Sequence, residues 1–86
     1  MDKKALIQQR HDILMLLYAK RLEECSREKL YMAQKDLKDA LGDCFFNLRL
    51  LTEAGYIECE EFCIDDSGFE YRISASGVEK YESFEQ

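Results

Sequence analysis

Residues Leu48 to Phe62 read LRLLTEAGYIECEEF, and their period changes at Gly55. Before the glycine, Cys44, Leu48 and Leu51 recur at spacings of four and three, which marks one inward-facing helical stripe. After it, YIECEEFCI is rich in β-branched and aromatic residues, which marks a strand. Gly55 supplies the left-handed backbone through which a chain leaves a helix. A helix that runs through a glycine into a strand is therefore the junction from which the rest is read.

Downstream, DDSG predicts a turn, and FEYRIS alternates with Phe69, Tyr71 and Ile73 on one face. The two strands make a β-hairpin. SASGVEKYESF predicts a short last helix, for which Ser76 with Glu79 has capping-box spacing and Ser74 is an equally good cap. Upstream, Asp43 predicts the cap of the third helix, Asp43 to Ala54. MAQKDLKDALG predicts a second helix with Ala33, Leu37 and Leu41 on one face, Lys35 and Lys38 on another, and Gly42 as its stop. Leu30 to Met32 predicts a short edge strand. The first helix spans roughly residues 4–24, with Leu6, Ile13, Leu14, Leu17, Tyr18 and Leu22 on a broad apolar face. Ile7 and Leu16 fall outside that face and predict a second contact.

The chain of 86 residues predicts one domain, 1–86, with a modest core. Hydrophobic content of 47% and charged content of 35% place it among folded globular proteins. No apolar run approaches the roughly 20 residues of a membrane span, and MDKKALIQQRHD has no apolar signal region, so a cytoplasmic location is expected. In a reducing compartment Cys25, Cys44, Cys59 and Cys63 are expected as free thiols. Cys59 and Cys63 in one strand would stand roughly 13 Å apart, too far for a disulfide. No pair has the C-x2-C spacing of a zinc knuckle, and His11 is the one histidine, so neither metal nor cofactor is expected. With no nucleophile–base arrangement and no phosphate loop, an enzyme is not expected either.

The order of helix, short strand, helix, helix, strand, strand, helix resembles the winged helix-turn-helix family, and small winged-helix proteins of phage and prophage type have a similar layout. The resemblance covers nearly the whole chain. Its sharpest parts are Leu48, Leu51, Ala54, Gly55, Tyr56 and Ile57, which match LxxLxxAGYI, and YRISASG from Tyr71 to Gly77. It implies an α+β fold with a three-helix core, a β-hairpin wing and a short C-terminal helix. It also implies a DNA-binding transcriptional regulator whose recognition helix presents Asn47 and Arg49 to double-stranded DNA. Arg27, Lys29, Lys35, Lys38 and Arg72 would hold phosphates. The surplus apolar residues Ile7, Leu16, Val78, Tyr81 and Phe84 imply a homodimer through the terminal helices.

Charge departs from that pattern. Residues 1–49 hold ten Lys or Arg against eight acids, whereas residues 50–86 hold two against ten, giving the net charge of −6. From Glu53 to Tyr71 there are seven acids and no base. An acidic wing opposes phosphate. The alternative expectation is a protein-interaction domain, such as a phage-type inhibitor or nucleic-acid mimic. Its protein partner would meet Phe45, Phe46 and Leu50 on the third helix and Glu60, Glu61, Asp65 and Asp66 on the wing. The direction of the two phenylalanine rings separates the two expectations.

Overall fold

A computed structural model describes residues 2–23, 31–62 and 68–84. The fold is α+β, with four helices and a three-stranded antiparallel sheet among the described residues. The elements are α1 (Lys3–Glu23), β1 (Met32–Ala33), α2 (Gln34–Leu41), α3 (Phe45–Glu53), β2 (Ile57–Phe62), β3 (Gly68–Ile73) and α4 (Ala75–Phe84). Among the described residues no helix is long and apolar enough to cross a membrane.

β3 is the central strand, with β1 on one side and β2 on the other. β2 pairs with it from Ile57↔Ile73 to Phe62↔Gly68, and β1 adds Met32↔Tyr71 and Ala33↔Glu70. The short strand thus falls at Met32 and Ala33, and α2 starts two residues later than its helical pattern begins. Pairing with β3 takes those two residues. Leu30 and the DDS part of the hairpin turn lie outside the described residues.

Alternation puts Ile57, Tyr71 and Ile73 on the inner face of the sheet, where they are buried. They meet Ile13, Leu14 and Leu17 of α1, Leu37 of α2, and Cys44, Leu48 and Leu51 around α3 in one core. Leu22 is exposed, so the α1 stripe ends a turn before its period predicts. That last turn is anchored instead by Arg21, whose Nη1 donates to the Ile73 carbonyl at 3.0 Å. The second contact expected for Leu16 lies within the chain. Leu16, Val78 and Tyr81 all pack against the core, and the Tyr18 hydroxyl donates to Glu82 of α4 at 2.8 Å.

The α3–β2 junction is a Schellman turn. Gly55 takes φ +82°, its N–H donates to Thr52 O at 3.1 Å, and the Tyr56 N–H donates to Leu51 O at 3.0 Å. The Tyr56 carbonyl then accepts from the Ser74 N–H at 3.0 Å. The Ser74 hydroxyl donates to Gly55 O at 2.6 Å and accepts from the Gly77 N–H at 3.0 Å. Ser74, not Ser76, is therefore the cap of α4. Gly77 packs directly on this turn, and a Cβ there would overlap the Tyr56 carbonyl oxygen and lie 2.6 Å from Ile73 Cγ1.

Two stability outcomes follow. Gly77→Ala is expected to cost about 3 kcal/mol or more, because a backbone oxygen and a fully buried isoleucine must move. Ser74→Ala is expected to cost about 1–2 kcal/mol through the lost cap. Urea denaturation at fixed pH measures both, and an unchanged midpoint for Gly77→Ala would contradict the packing described. Burial, with the nearby Asp43 charge second, pushes the Cys44 thiol above its ordinary 9.0, and burial likewise raises the Tyr71 phenol. The folded chain holds these protons more tightly than the unfolded chain. Their contribution is therefore complete below pH 9.0 and falls as pH rises from there toward the raised folded values. A chemical-denaturation series from pH 7 to 11 is expected to show the decline, and Cys44→Ala is expected to delay its onset.

Candidate functional site

Successive residues of α3 turn about 100° around its axis, and that rotation sorts the helix into three directions. Cys44, Asn47, Leu48 and Leu51 point inward and are buried. Phe46, Arg49 and Glu53 point outward and are exposed. Phe45 and Thr52 flank the hairpin, whereas Leu50 and Ala54 flank α1 and α4.

Asn47 corrects the expectation of a base-reading side chain, because it is fully buried. Its Nδ2 donates to Leu6 O and to Gln9 Oε1, both at 2.9 Å, and its Oδ1 accepts from Arg10 Nε at 3.1 Å. Gln9, itself buried, donates through Nε2 to Asp43 O at 3.0 Å and Leu41 O at 3.3 Å. The amide pair thus ties α1 to the end of α2, to the connecting turn and to α3. The signal was present in the period. Residue 47 is three after Cys44 and four before Leu51, and residue 9 is three after Leu6 and four before Ile13. The resemblance to a recognition helix implies a surface position instead.

The start of α3 also differs by a residue or two from expectation. Cys44 is the cap position, and its carbonyl accepts from the Leu48 N–H at 2.9 Å. Asp43 stands one place earlier, where its carboxylate accepts from the Phe45 N–H at 3.3 Å in an Asx-type turn.

The first turn of α3 carries two exposed rings, Phe45 at 53% and Phe46 at 61%. Phe45 lines a cleft of about 350 Å³ with Thr52, Cys59, Phe69 and Tyr71, and Arg49 and Glu53 are also on its wall. Phe69 is exposed as well. Phe45 and Phe69 therefore stand open at the edge between α3 and the hairpin, and Phe46 is exposed on the outward side of α3. Leu50, expected beside them, faces the opposite groove against α1 and α4.

The cations of the expected DNA face are differently placed. Lys35 and Lys38 are exposed on α2. Arg49 is exposed, and its Nε lies 3.3 Å from Glu53 Oε1 in a pair one helical turn apart. Arg72 is bound by Glu58, its cross-strand neighbour, with Nε 2.7 Å from Oε2. The hydrogen bond to Glu58 holds the guanidinium pKa above its ordinary value. Its carbon Cζ also lies 5.6 Å from the centre of the Tyr31 ring. Two residues along the same face, Glu60 faces Glu70. Like charges placed directly opposite destabilise a hairpin. Arg27, Lys29, Asp65, Asp66, Cys25, Cys63 and the Glu61 side chain lie outside the described residues. Neither Cys44, which is buried, nor Cys59, which is exposed, is in a disulfide.

Set against models of protein families, curated proteins and solved structures, the chain matches none.

The amide network has a measurable signature. Asn47→Ala is expected to destabilise by about 2–4 kcal/mol, since it leaves the buried Gln9 Oε1 without its donor and releases Arg10. Gln9→Ala is expected to cost a similar amount. The double variant should cost less than the sum by about 1 kcal/mol or more. Additive losses in urea titrations would contradict the direct hydrogen bond between the two side chains.

Proposed function

We propose that this chain is a winged-helix domain that docks a protein partner, using the first turn of α3 as an apolar anchor and the acidic hairpin as an electrostatic guide. The order of elements and the central place of β3 between β1 and β2 support the winged-helix reading. One observation carries the functional part. Phe45 and Phe46 are exposed side by side on the helix that would otherwise read bases, and the adjacent Asn47 is fully buried.

Exposed aromatic rings in a cluster mark partner surfaces, and aromatics dominate binding hot spots. Two rings at the head of α3 and a third at Phe69 offer such an anchor beside a cleft that accepts a side chain. On the other face of the hairpin stand Glu60 and Glu70, beside Glu58, which is paired with Arg72. A basic partner relieves the Glu60–Glu70 opposition, whereas a phosphate backbone adds to it. The chain on this reading is non-enzymatic and acts by occupying a surface.

Duplex DNA is the second reading, and the exposed Lys35 and Lys38 on α2 favour it. Charge separates the two. If DNA is the ligand, genomic fragments should bind at low salt, and Lys35→Ala and Lys38→Ala should each lower the salt slope by about one. The protein-docking reading predicts no mobility shift at low salt. It also predicts that Phe45→Ala with Phe46→Ala leaves stability within about 0.5 kcal/mol, because both rings are exposed. The same change should cost a partner complex about 2 kcal/mol or more, beyond the cost of either lysine change. A salt-dependent shift on genomic DNA that survives loss of both rings would overturn the protein-docking reading.

A further inference from the structure

A second, larger cavity lies on the far flank of α3, between that helix, α1 and α4. Its volume is about 670 Å³, within the range of roughly 300–1,000 Å³ typical of small-molecule sites. Carbon dominates its walls, through Ile7, Leu14, Leu50, Leu51, Tyr56 and Phe84. The polar rim is one-signed. Arg10 and Lys80 line it, and none of its described lining residues is Asp or Glu, in a chain whose acids outnumber its bases by eighteen to twelve.

Both cations are held in place. Asn47 Oδ1 accepts from Arg10 Nε at 3.1 Å, which fixes the guanidinium through a residue that is itself locked in the core. Lys80 Nζ lies 5.4 Å from the centre of the Phe84 ring and 5.9 Å from that of Tyr56. Its ammonium is thereby kept over the aromatic end of the cavity. His11 also lines the cavity at that end, its ring 5.3 Å from those of Tyr81 and Phe84. Ile7 and Phe84 are half-exposed, so the mouth is open to a small molecule.

We propose that this cavity binds an amphipathic monocarboxylate, with the aliphatic chain against Leu14, Leu50 and Leu51 and the carboxylate between Arg10 and Lys80. Arg10 commits its Nε–H to Asn47, so its outer N–H groups and the Lys80 ammonium are left to hold the two oxygens of one carboxylate. The apolar area within needs a tail, since a bare anion would leave it wet. α3 borders both openings, but the two share no lining residue, so the site is separate from the partner surface.

Decanoate below its micellar concentration is the probe, with decanol as the uncharged comparison, followed by amide chemical shifts. Saturable shifts at Ile7, Leu50 and Phe84 are expected with decanoate, and weaker binding with decanol. Lys80→Met, which keeps an apolar stem, should weaken decanoate by about three- to tenfold and leave decanol unchanged. Ala54→Phe should fill the cavity and abolish both, with thermal unfolding run alongside to establish that the variant is folded. Lys35→Met, on α2, should change neither. Equal binding of decanoate and decanol would overturn the proposal. So would shifts that centre on Phe45 and Phe69, the absence of saturable shifts in the wild type, or a stable dimer in light scattering whose interface covers Ile7 and Phe84.

Discussion

The Tyr56 carbonyl is the point on which the three parts of this fold converge. It belongs to the turn that ends α3, it accepts the N–H of Ser74 at the end of β3, and Gly77 of α4 presses against it. Each neighbour is constrained by the others. Gly55 must be left-handed for the turn to present its carbonyls, Ser74 must be a small hydroxyl residue to bridge Gly55 O and the Gly77 N–H, and residue 77 must lack a Cβ. The hairpin is thereby closed at its base, and α4 leaves at an angle that brings Val78 and Tyr81 onto α1. This contact adds a fixed direction to the packing of Ile57, Tyr71 and Ile73 on the helices, which apolar burial alone would leave free to slide.

α3 divides the molecule because it is short and used all the way round. Its inner side is held by apolar burial and by the Gln9–Asn47 amide pair, and these do different work. Leu48 and Leu51 supply free energy without direction, whereas the amide pair accepts only one rotation of α3 against α1. A slip of a single residue would leave two buried amides without partners, at roughly 1–3 kcal/mol each. That fixed rotation places Phe45 by the hairpin and Leu50 by α4, and so creates two separate apolar openings rather than one. Pairing of two chains through the terminal helices loses much of its motive for the same reason. Leu16, Val78 and Tyr81 are already packed within the chain, and only Ile7 and Phe84 of the expected set remain exposed.

Much of the fold was legible because its elements are punctuated by residues with few alternatives. Gly42 and Gly55 do take positive φ at helix ends, and the alternation of Tyr71 and Ile73 does mark the inner face of a strand. Boundaries were less legible where two patterns overlap. Met32 and Ala33 fit the α2 period as well as a strand, and only the presence of β3 decides between them. The candidate site was legible in its residues and misread in one direction. Asn47 carries the inward period and an outward chemistry, and the partners that satisfy it lie 37 to 41 residues away. No local rule reveals that a buried amide will be met by another amide. The cavity by Lys80 was not legible at all, since it exists only once α4 has folded back on α1.

The hairpin raises a question of charge that burial cannot answer. Glu58, Glu60, Glu70 and Arg72 share its outer face by alternation, and the register sets one salt bridge beside one pair of facing acids. Arg72 feels Glu60 as well as Glu58, so a single guanidinium serves two carboxylates while Glu70 stands across from one of them. Replacing either acid of the facing pair with threonine would favour the strand on propensity and remove a repulsion. A chain shaped by stability alone has no reason to keep both. An exposed edge charged to discourage sheet-to-sheet pairing needs acids on β2, but it does not need one on the central strand β3. The Glu70 position is the one that edge protection leaves unexplained. A cationic surface brought against the hairpin would turn that local cost into a long-range attraction, acting mainly on the rate of encounter, and would leave the rings of Phe45 and Phe46 to hold what the charges had gathered.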